Sequence, residues 1–249
     1  MGMVVSAARI TLAGVIRGTM KPPDRIETTD VRAADGTYTV MVNDVPLRTP
    51  KGHVVTVLSW EFANALADEL MSAGEIDLQH MSLYSLYATQ RDFIEGRIEG
   101  TIRVILRHLP GDFVLHTDAD PGLAAAQLAA WAPLLEFLRD LGPEVPIARP
   151  LQAVQIPWEL EEALRVQLAA MSPVQLTVVV QAMTNLGSVT LGLRLAQQAI
   201  TIEQAVAALT ISACGAEPSH SGNDALETPF VAEMRQMVKR LLRYVQLNP

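Results

Sequence analysis

Three features of the sequence predict an α+β protein. Thr37 to Val42 alternates and is rich in β-branched residues, the pattern of a half-buried strand. From Ser59 onward the apolar period lengthens from two to between three and four, as amphipathic helices require. Apolar residues make up 49% of the 249 residues and aromatics only 5%, so Leu, Ala, Val and Met supply the core and favour helices. A chain of this length builds one large domain or two modest ones with cores of their own.

The β signal runs from Val31 to Lys51. Thr37-Tyr38-Thr39-Val40-Met41-Val42 reads as a strand, Asn43-Asp44 as a two-residue turn tolerant of positive φ, and Val45 to Arg48 as the returning partner. Pro50 and Gly52 interrupt it, and His53 to Leu58 resumes as a third strand, completing a small meander. Ser59 then caps a helix in which Phe62, Leu66 and Leu70 recur at i+4 and Gly74 supplies the stop. This helix packs its apolar stripe on the meander.

Helices dominate after residue 88. Ile94, Ile98, Ile102 and Ile105 share one face of a helix ending near Pro110-Gly111, and Phe113 to His116 reads as a short extended piece. Asp120 caps the next helix with Pro121 at its first position. The run Leu123 to Leu141 follows, and Pro133 must kink or split it, because proline lacks the amide donor and crowds the preceding turn. Gly142, Pro143, Pro146 and Pro150 mark a linker. Pro157 opens another helix, with Glu159, Glu161 and Glu162 where the helix dipole favours carboxylates and Leu160, Leu164, Leu168 and Met171 as its buried stripe. Ser172-Pro173 starts the next, Gly187-Ser188 separates it from a third, and Thr201 with Gln204 has the capping-box spacing of a fourth. After a polar loop, Thr228-Pro229 caps a final helix with Val231, Met234, Val238, Leu241 and Val245 on one side. Val166 to Leu193 carries no charge, but Gln167, Gln175, Gln181 and Asn185 would find no partners in lipid, so two buried helices fit it better than a membrane span.

Net charge is −8, which argues against nucleic acid as a partner, because a phosphate backbone demands a clustered positive surface. Residues 1–23 nonetheless carry +3 from Arg9, Arg17 and Lys21 and contain no acid, leaving −11 on the remainder. Acid-free, Arg-bearing and dotted with Ala, Ser and Thr, this stretch has the composition of a mitochondrial presequence, with a tail lacking fixed structure as the other reading. The single Cys214 excludes an internal disulfide and a Cys-based zinc site, and with no flanking cation it reads as an inert thiol. No phosphate loop, dinucleotide fingerprint, nucleophile elbow or two-His helix motif occurs. His116, Asp118 and Asp120 alternate as strand-borne metal ligands would, but they lie just before a Pro-led helix, where loop and cap roles are expected. The expectation is a protein with no catalytic residue, no metal and no cofactor. Arg48 and Lys51 flank Thr49-Pro50, whose restricted backbone could hold two cations against an anionic partner; a solvated turn is the plainer alternative. The cations Arg235, Lys239, Arg240 and Arg243 suit the C-terminal end of the last helix through its dipole.

Several stretches together resemble one family. Gly36-Thr37-Tyr38-Thr39-Val40 through Pro46-Leu47-Arg48-Thr49-Pro50-Lys51, then Leu66-Ala67-Asp68-Glu69, Ile76 and Met81-Ser82-Leu83, form a first block. Asp112-Phe113-Val114, Pro121, Leu123, Gln127, Trp131, Pro133, Leu134 and Leu135 form a second, and Gln155-Ile156-Pro157 and Leu186-Gly187-Ser188 follow in order. This series resembles the ATP synthase mitochondrial assembly factor 2 family, chaperones that handle the α subunit of the ATP synthase catalytic head in mitochondria and α-proteobacteria. The resemblance spans roughly residues 31–227 and implies an N-terminal α/β domain followed by an orthogonal helical bundle. It also implies structural roles for Gln127, Trp131 and Pro133, the last being what the family's Gln-Trp-Pro-Leu-Leu pattern calls for. One departure stands out. After the fourth helix of the bundle the family carries an acidic pair, a Gln and a Trp-Gly, where this chain has Ala213-Cys214, Glu217 and Ser221-Gly222.

The resulting expectation divides the chain into a presequence or tail (1–25), an α/β domain (26–87) and a helical domain (88–249). The resemblance implies a matrix chaperone that binds the ATP synthase α subunit before it joins the β subunit, without catalysis or stable membrane insertion. Its contacts are expected at Arg48, Lys51 and Glu217. The alternatives are a repurposed member acting as a permanent subunit of a large mitochondrial complex, which the missing acidic pair favours, and an enzyme of unrecognised type.

Overall fold

The computed structural model describes residues 25–76, 81–142, 144–149, 152–214 and 228–248. Its sheet has four strands: β1 (Thr29–Ala34), β2 (Thr37–Val42), β3 (Val45–Pro46) and β4 (Thr56–Val57). β2 is central. It pairs antiparallel with β1 from Thr29↔Val42 to Ala34↔Thr37, and its other edge is shared by β3 (Met41↔Pro46) and β4 (Tyr38↔Val57). Both hairpin turns are two residues long, Asp35-Gly36 and Asn43-Asp44, and all four residues have φ between 49° and 73°. Asn, Asp and Gly tolerate that left-handed conformation, and it matches the twist of the paired strands. Asn43 also clamps the approach to β1, its Oδ1 accepting from the Glu27 and Thr28 amides and its Nδ2 donating to the Arg25 carbonyl.

The returning strand and the third strand are both shorter than the sequence suggests. Regular pairing after the Asn43-Asp44 turn stops at Pro46, which has no amide to donate. Arg48 and Val54 meet only at an isolated bridge, and the third strand is confined to Thr56–Val57. A helix α1 (Trp60–Ala73) covers the sheet, with Ser59 accepting from the Phe62 amide at one end and Gly74, at φ 70°, closing the other. Phe62, Ala63, Leu66, Ala67 and Leu70 form its buried stripe.

α2 (Leu83–Thr89) is buried along its whole length and runs into a π-helical turn, Gln90–Ile94. Gly96, at φ 75°, breaks the helix, and α3 (Ile98–His108) starts afresh. Ile94 therefore lies outside the helix that carries Ile98, Ile102 and Ile105. The piece expected to be extended at Phe113–His116 is instead a 3-10 turn, Phe113–Leu115, because the Asp112 carboxylate caps it by accepting from the Val114 amide. α4 (Pro121–Ala130) and α5 (Ala132–Leu141) are separated at Trp131. Pro133 falls in the first turn of α5, where a missing amide leaves no bond unmade. The remaining helices are α6 (Trp158–Ala169), α7 (Pro173–Leu186), α8 (Val189–Ala196), α9 (Ile202–Cys214) and α10 (Pro229–Leu247).

Ser172 and Gln175 form a reciprocal capping box on α7, and the Thr201 hydroxyl and Gln204 side chain do the same for α9. α7 and α8 lie so close that a Cβ on Gly192 would meet the Val179 Cα at 2.9 Å. α10 packs across α7, α8 and α9 and reaches α2. Its Tyr244 is fully buried, edge-on to Phe62 of α1 and donating to Gln90 Oε1 at 2.5 Å. The apolar core consequently runs without a break from Val40 and Phe62 through Leu134 and Leu191 to Leu241. Among the described residues no helix is long and apolar enough to cross a membrane.

Candidate interaction surface

The loop that leaves β3 is fastened to the helices by one carboxylate. Asp92, on the π-helical turn, has a side chain with no exposed surface. Its Oδ1 accepts from the Thr49 hydroxyl at 2.6 Å and pairs with His53 Nδ1 at 2.8 Å, while Oδ2 accepts from the Lys51 amide at 3.0 Å. The Lys51 ammonium donates to the Asp92 carbonyl at 2.6 Å and lies 4.0 Å from the centre of the Phe93 ring. Lys51 thus has an internal anchor on the residue pair Asp92-Phe93, although its residue surface is exposed. Arg48 is exposed as well; its guanidinium donates to the Gly52 carbonyl at 2.8 Å, and its own carbonyl accepts from the buried Tyr84 hydroxyl. Glu217, the third residue expected at the partner contact, lies outside the described residues, as do the presequence-like residues 1–23.

Trp131, Gln127 and Pro133 come together at the junction of α4 and α5. Trp131 is 1% exposed, stacks obliquely on Phe113 at 5.6 Å and donates from Nε1 to the Ala208 carbonyl of α9 at 3.0 Å. Gln127 is 3% exposed; its Oε1 accepts from the Asp118 amide and its Nε2 donates to the Ser212 hydroxyl. The α4–α5 break thereby turns the indole inward and links both helices to α9.

A second buried carboxylate, Asp112, had no signal of its own in the sequence. Its Oδ2 accepts from both the amide and the hydroxyl of Thr190 at 2.7 and 2.8 Å, tying the 3-10 turn to the start of α8. Burial pushes its carboxyl above the usual range in spite of these donors. Burial also raises Glu69, whose carboxylate accepts from the Leu83 and Tyr84 amides at the start of α2. Both act as fixed acceptors for helix ends. His116 Nε2 donates to the Pro110 carbonyl, Asp118 accepts from the Asp120 amide, and Asp120 caps α4, so the alternating trio serves the loop and the cap. Among the described residues no cluster of three His, Cys, Asp or Glu side chains could hold a metal.

Part of what the surface offers is apolar. Leu58, Trp60, Trp158 and Val166 are large and exposed, with Leu58 81% and Trp158 72% accessible. Asp92 escaped sequence reasoning and Asp112 entered it only within the Asp112-Phe113-Val114 stretch, because their partners, Thr49 and Thr190, lie 43 and 78 residues away.

Residues 26–139 match the family model described as ATP12 chaperone protein. In fold the chain is similar to Atp12 from Paracoccus denitrificans, with a TM-score of 0.71 at 21% identity over 90% of this chain and 97% of that one. A point variant of that Paracoccus protein gives the same values. Atu1473, a candidate chaperone from Agrobacterium tumefaciens, gives a TM-score of 0.68 at 24% identity over 90% of this chain and 83% of that one. The structural likenesses extend the shared fold beyond residue 139 into the C-terminal helices. Residues 26–139 thus carry the sequence pattern of the ATP12 chaperone model, on a fold that 90% of this chain shares with the Paracoccus protein.

Proposed function

We propose that this chain is an assembly chaperone that binds the α subunit of ATP synthase in the mitochondrial matrix before that subunit joins the β subunit. The observation that carries the reading is the family match over residues 26–139, the region that builds the sheet, the Asp92 clasp and the Trp131 junction. A folding subunit exposes apolar surface that it later buries against a neighbour, and a chaperone need only cover that patch reversibly. No catalysis or cofactor is required. Within this reading Arg48 is a client contact, with Glu217 as its acidic counterpart, while Lys51 holds the loop in place from behind.

A second reading, a permanent subunit of a large mitochondrial complex, is favoured by one observation: Ala213 and Cys214 stand where the resemblance calls for an acidic pair. Affinity purification of the tagged full chain from mitochondria tests both. Substoichiometric α subunit without β subunit supports the chaperone, and a stable stoichiometric assembly supports the subunit. Recovery of neither removes both readings.

A further inference from the structure

The outward face of α3 carries features that the fold explains only in part: the helix dipole suits Arg107 and His108 in the last turn, but not the other groups there. Ile102, Ile105 and Leu106 point into the core. At about 100° per residue, Arg97, Gly100, Arg103, Val104, Arg107 and His108 fall within an arc of about 140° on the opposite side. All six are exposed. Arg97, Arg103 and Arg107 form no ion pair with any described residue, which they share with Arg48, Arg139 and Arg149 elsewhere on the surface. Glu99 borders the face in the first turn without pairing with Arg103. The cations of α10 differ, because Arg240 and Arg243 lie close enough to Glu69 to act on its carboxyl.

Two choices on this face work against the isolated helix. Arg97 occupies the N-cap, where the helix dipole opposes a cation. Gly100 sits inside the helix, where glycine is less favourable than alanine, although a Cβ there would meet nothing within 4 Å. A glycine on an open helical face lets another backbone come close. The chain around this face carries −8 overall, so the three arginines are a local reversal of sign.

We propose that the Arg97, Gly100, Arg103, Val104, Arg107 face of α3 docks an acidic helical segment of the client protein, with its backbone seated over Gly100 and an apolar side chain on Val104. This rests on the chaperone reading above. Guanidinium groups pair with carboxylates in two-point geometry, which suits an acidic peptide. The acidic remainder of the chain disfavours nucleic acid, and the absence of aromatics on the face disfavours a lipid surface.

The test uses the full chain, its Arg103→Glu/Arg107→Glu double variant and Gly100→Leu. Each is titrated against isolated α subunit and against a helical peptide of Glu and Leu, at low and high salt. The expected result is salt-sensitive binding by the unaltered chain, a fall of about tenfold or more per reversed arginine at a thermal midpoint near the native one, and a fall for Gly100→Leu at a midpoint equal to or above it. Undiminished binding of the α subunit by the double variant overturns the α3 inference and leaves the chaperone reading standing. If the unaltered chain binds no α subunit, the α-subunit reading fails, and the peptide decides the face alone: capture lost on charge reversal sustains it, and no capture removes it. Preference for an oligonucleotide or for anionic vesicles over the peptide, or self-association through α3, also overturns it.

Discussion

Replacing Asp92 with alanine should unfasten the strand-end loop from the helices. The carboxylate accepts from the Thr49 hydroxyl, the Lys51 amide and His53 Nδ1. Bonds to a charged acceptor are worth about 1.5–3 kcal/mol each, but the His53 ring is 46% exposed and recovers water on losing its partner. Counting only the Thr49 and Lys51 bonds, at the low end, gives about 3 kcal/mol. The Thr49 hydroxyl, 2% exposed, is then left without its acceptor, which adds about 1 kcal/mol. The total of about 4 kcal/mol agrees with the 3–5 kcal/mol typical of removing one partner from a buried pair. Asp92→Asn keeps an acceptor for Thr49 but can turn its NH2 toward the Lys51 amide, so about 2 kcal/mol is expected. Urea titrations should show the midpoint falling in the order native, Asn, Ala at constant slope, with faster hydrogen exchange at the Val55 amide, which bonds the Leu47 carbonyl. A loss below about 1 kcal/mol for Asp92→Ala would show that the loop is held by other contacts.

Three further outcomes are expected. Trp131→Ala should lower stability by about 3–5 kcal/mol, read from the denaturant midpoint, because the indole is buried against Phe113 and bonded to Ala208; an unchanged midpoint would place it outside the packed core. Gly192→Ala should cost about 1–3 kcal/mol by forcing α7 and α8 apart, and a thermal midpoint at or above that of the native chain would contradict the close contact. Asp112 should give stability a definite pH sign. Its carboxyl is raised by burial, so the native state binds more protons than the unfolded state above the ordinary value of about 3.9, and the group's contribution is present below that value and lost as pH rises through the native one. Asparagine does not titrate, so the midpoint of Asp112→Asn, measured across a pH series, should approach that of the native chain as pH rises; a widening gap would reverse the assigned direction.

The helix starts were legible because capping is a local act. Ser59, Asp120, Ser172, Thr201 and Thr228 each accept from an amide three residues on, so the signal and its effect fall within one turn. Gly74 and the Asn43-Asp44 turn were legible for the same reason, since left-handed φ is a property of single residues. Phe113 to Leu115 misled because a three-residue apolar run has no period, and its conformation is set by Asp112, whose other bonds reach Thr190. Pro133 announced a break without fixing it at Trp131; the position follows from the indole's bond to α9, formed by chain distant in sequence.

The interaction surface was legible only where local spacing speaks. Arg48 and Lys51 have the look of an anion grip, and part of that capacity is taken by Asp92, an anion of the same chain 41 residues beyond Lys51. That division has a consequence for reading a binding surface in this chain. The chain shares its fold with the Paracoccus protein at 21% identity and a TM-score of 0.71, and its own buried and capping residues explain themselves through contacts within the chain. A residue that recognises a partner lacks such an internal explanation. Arg97 at an N-cap and Gly100 on an open helical face meet that criterion, whereas Lys51, Asp92 and Trp131 do not. Substitutions at α3 should therefore separate binding from stability, and substitutions at the Asp92 clasp should move the two together.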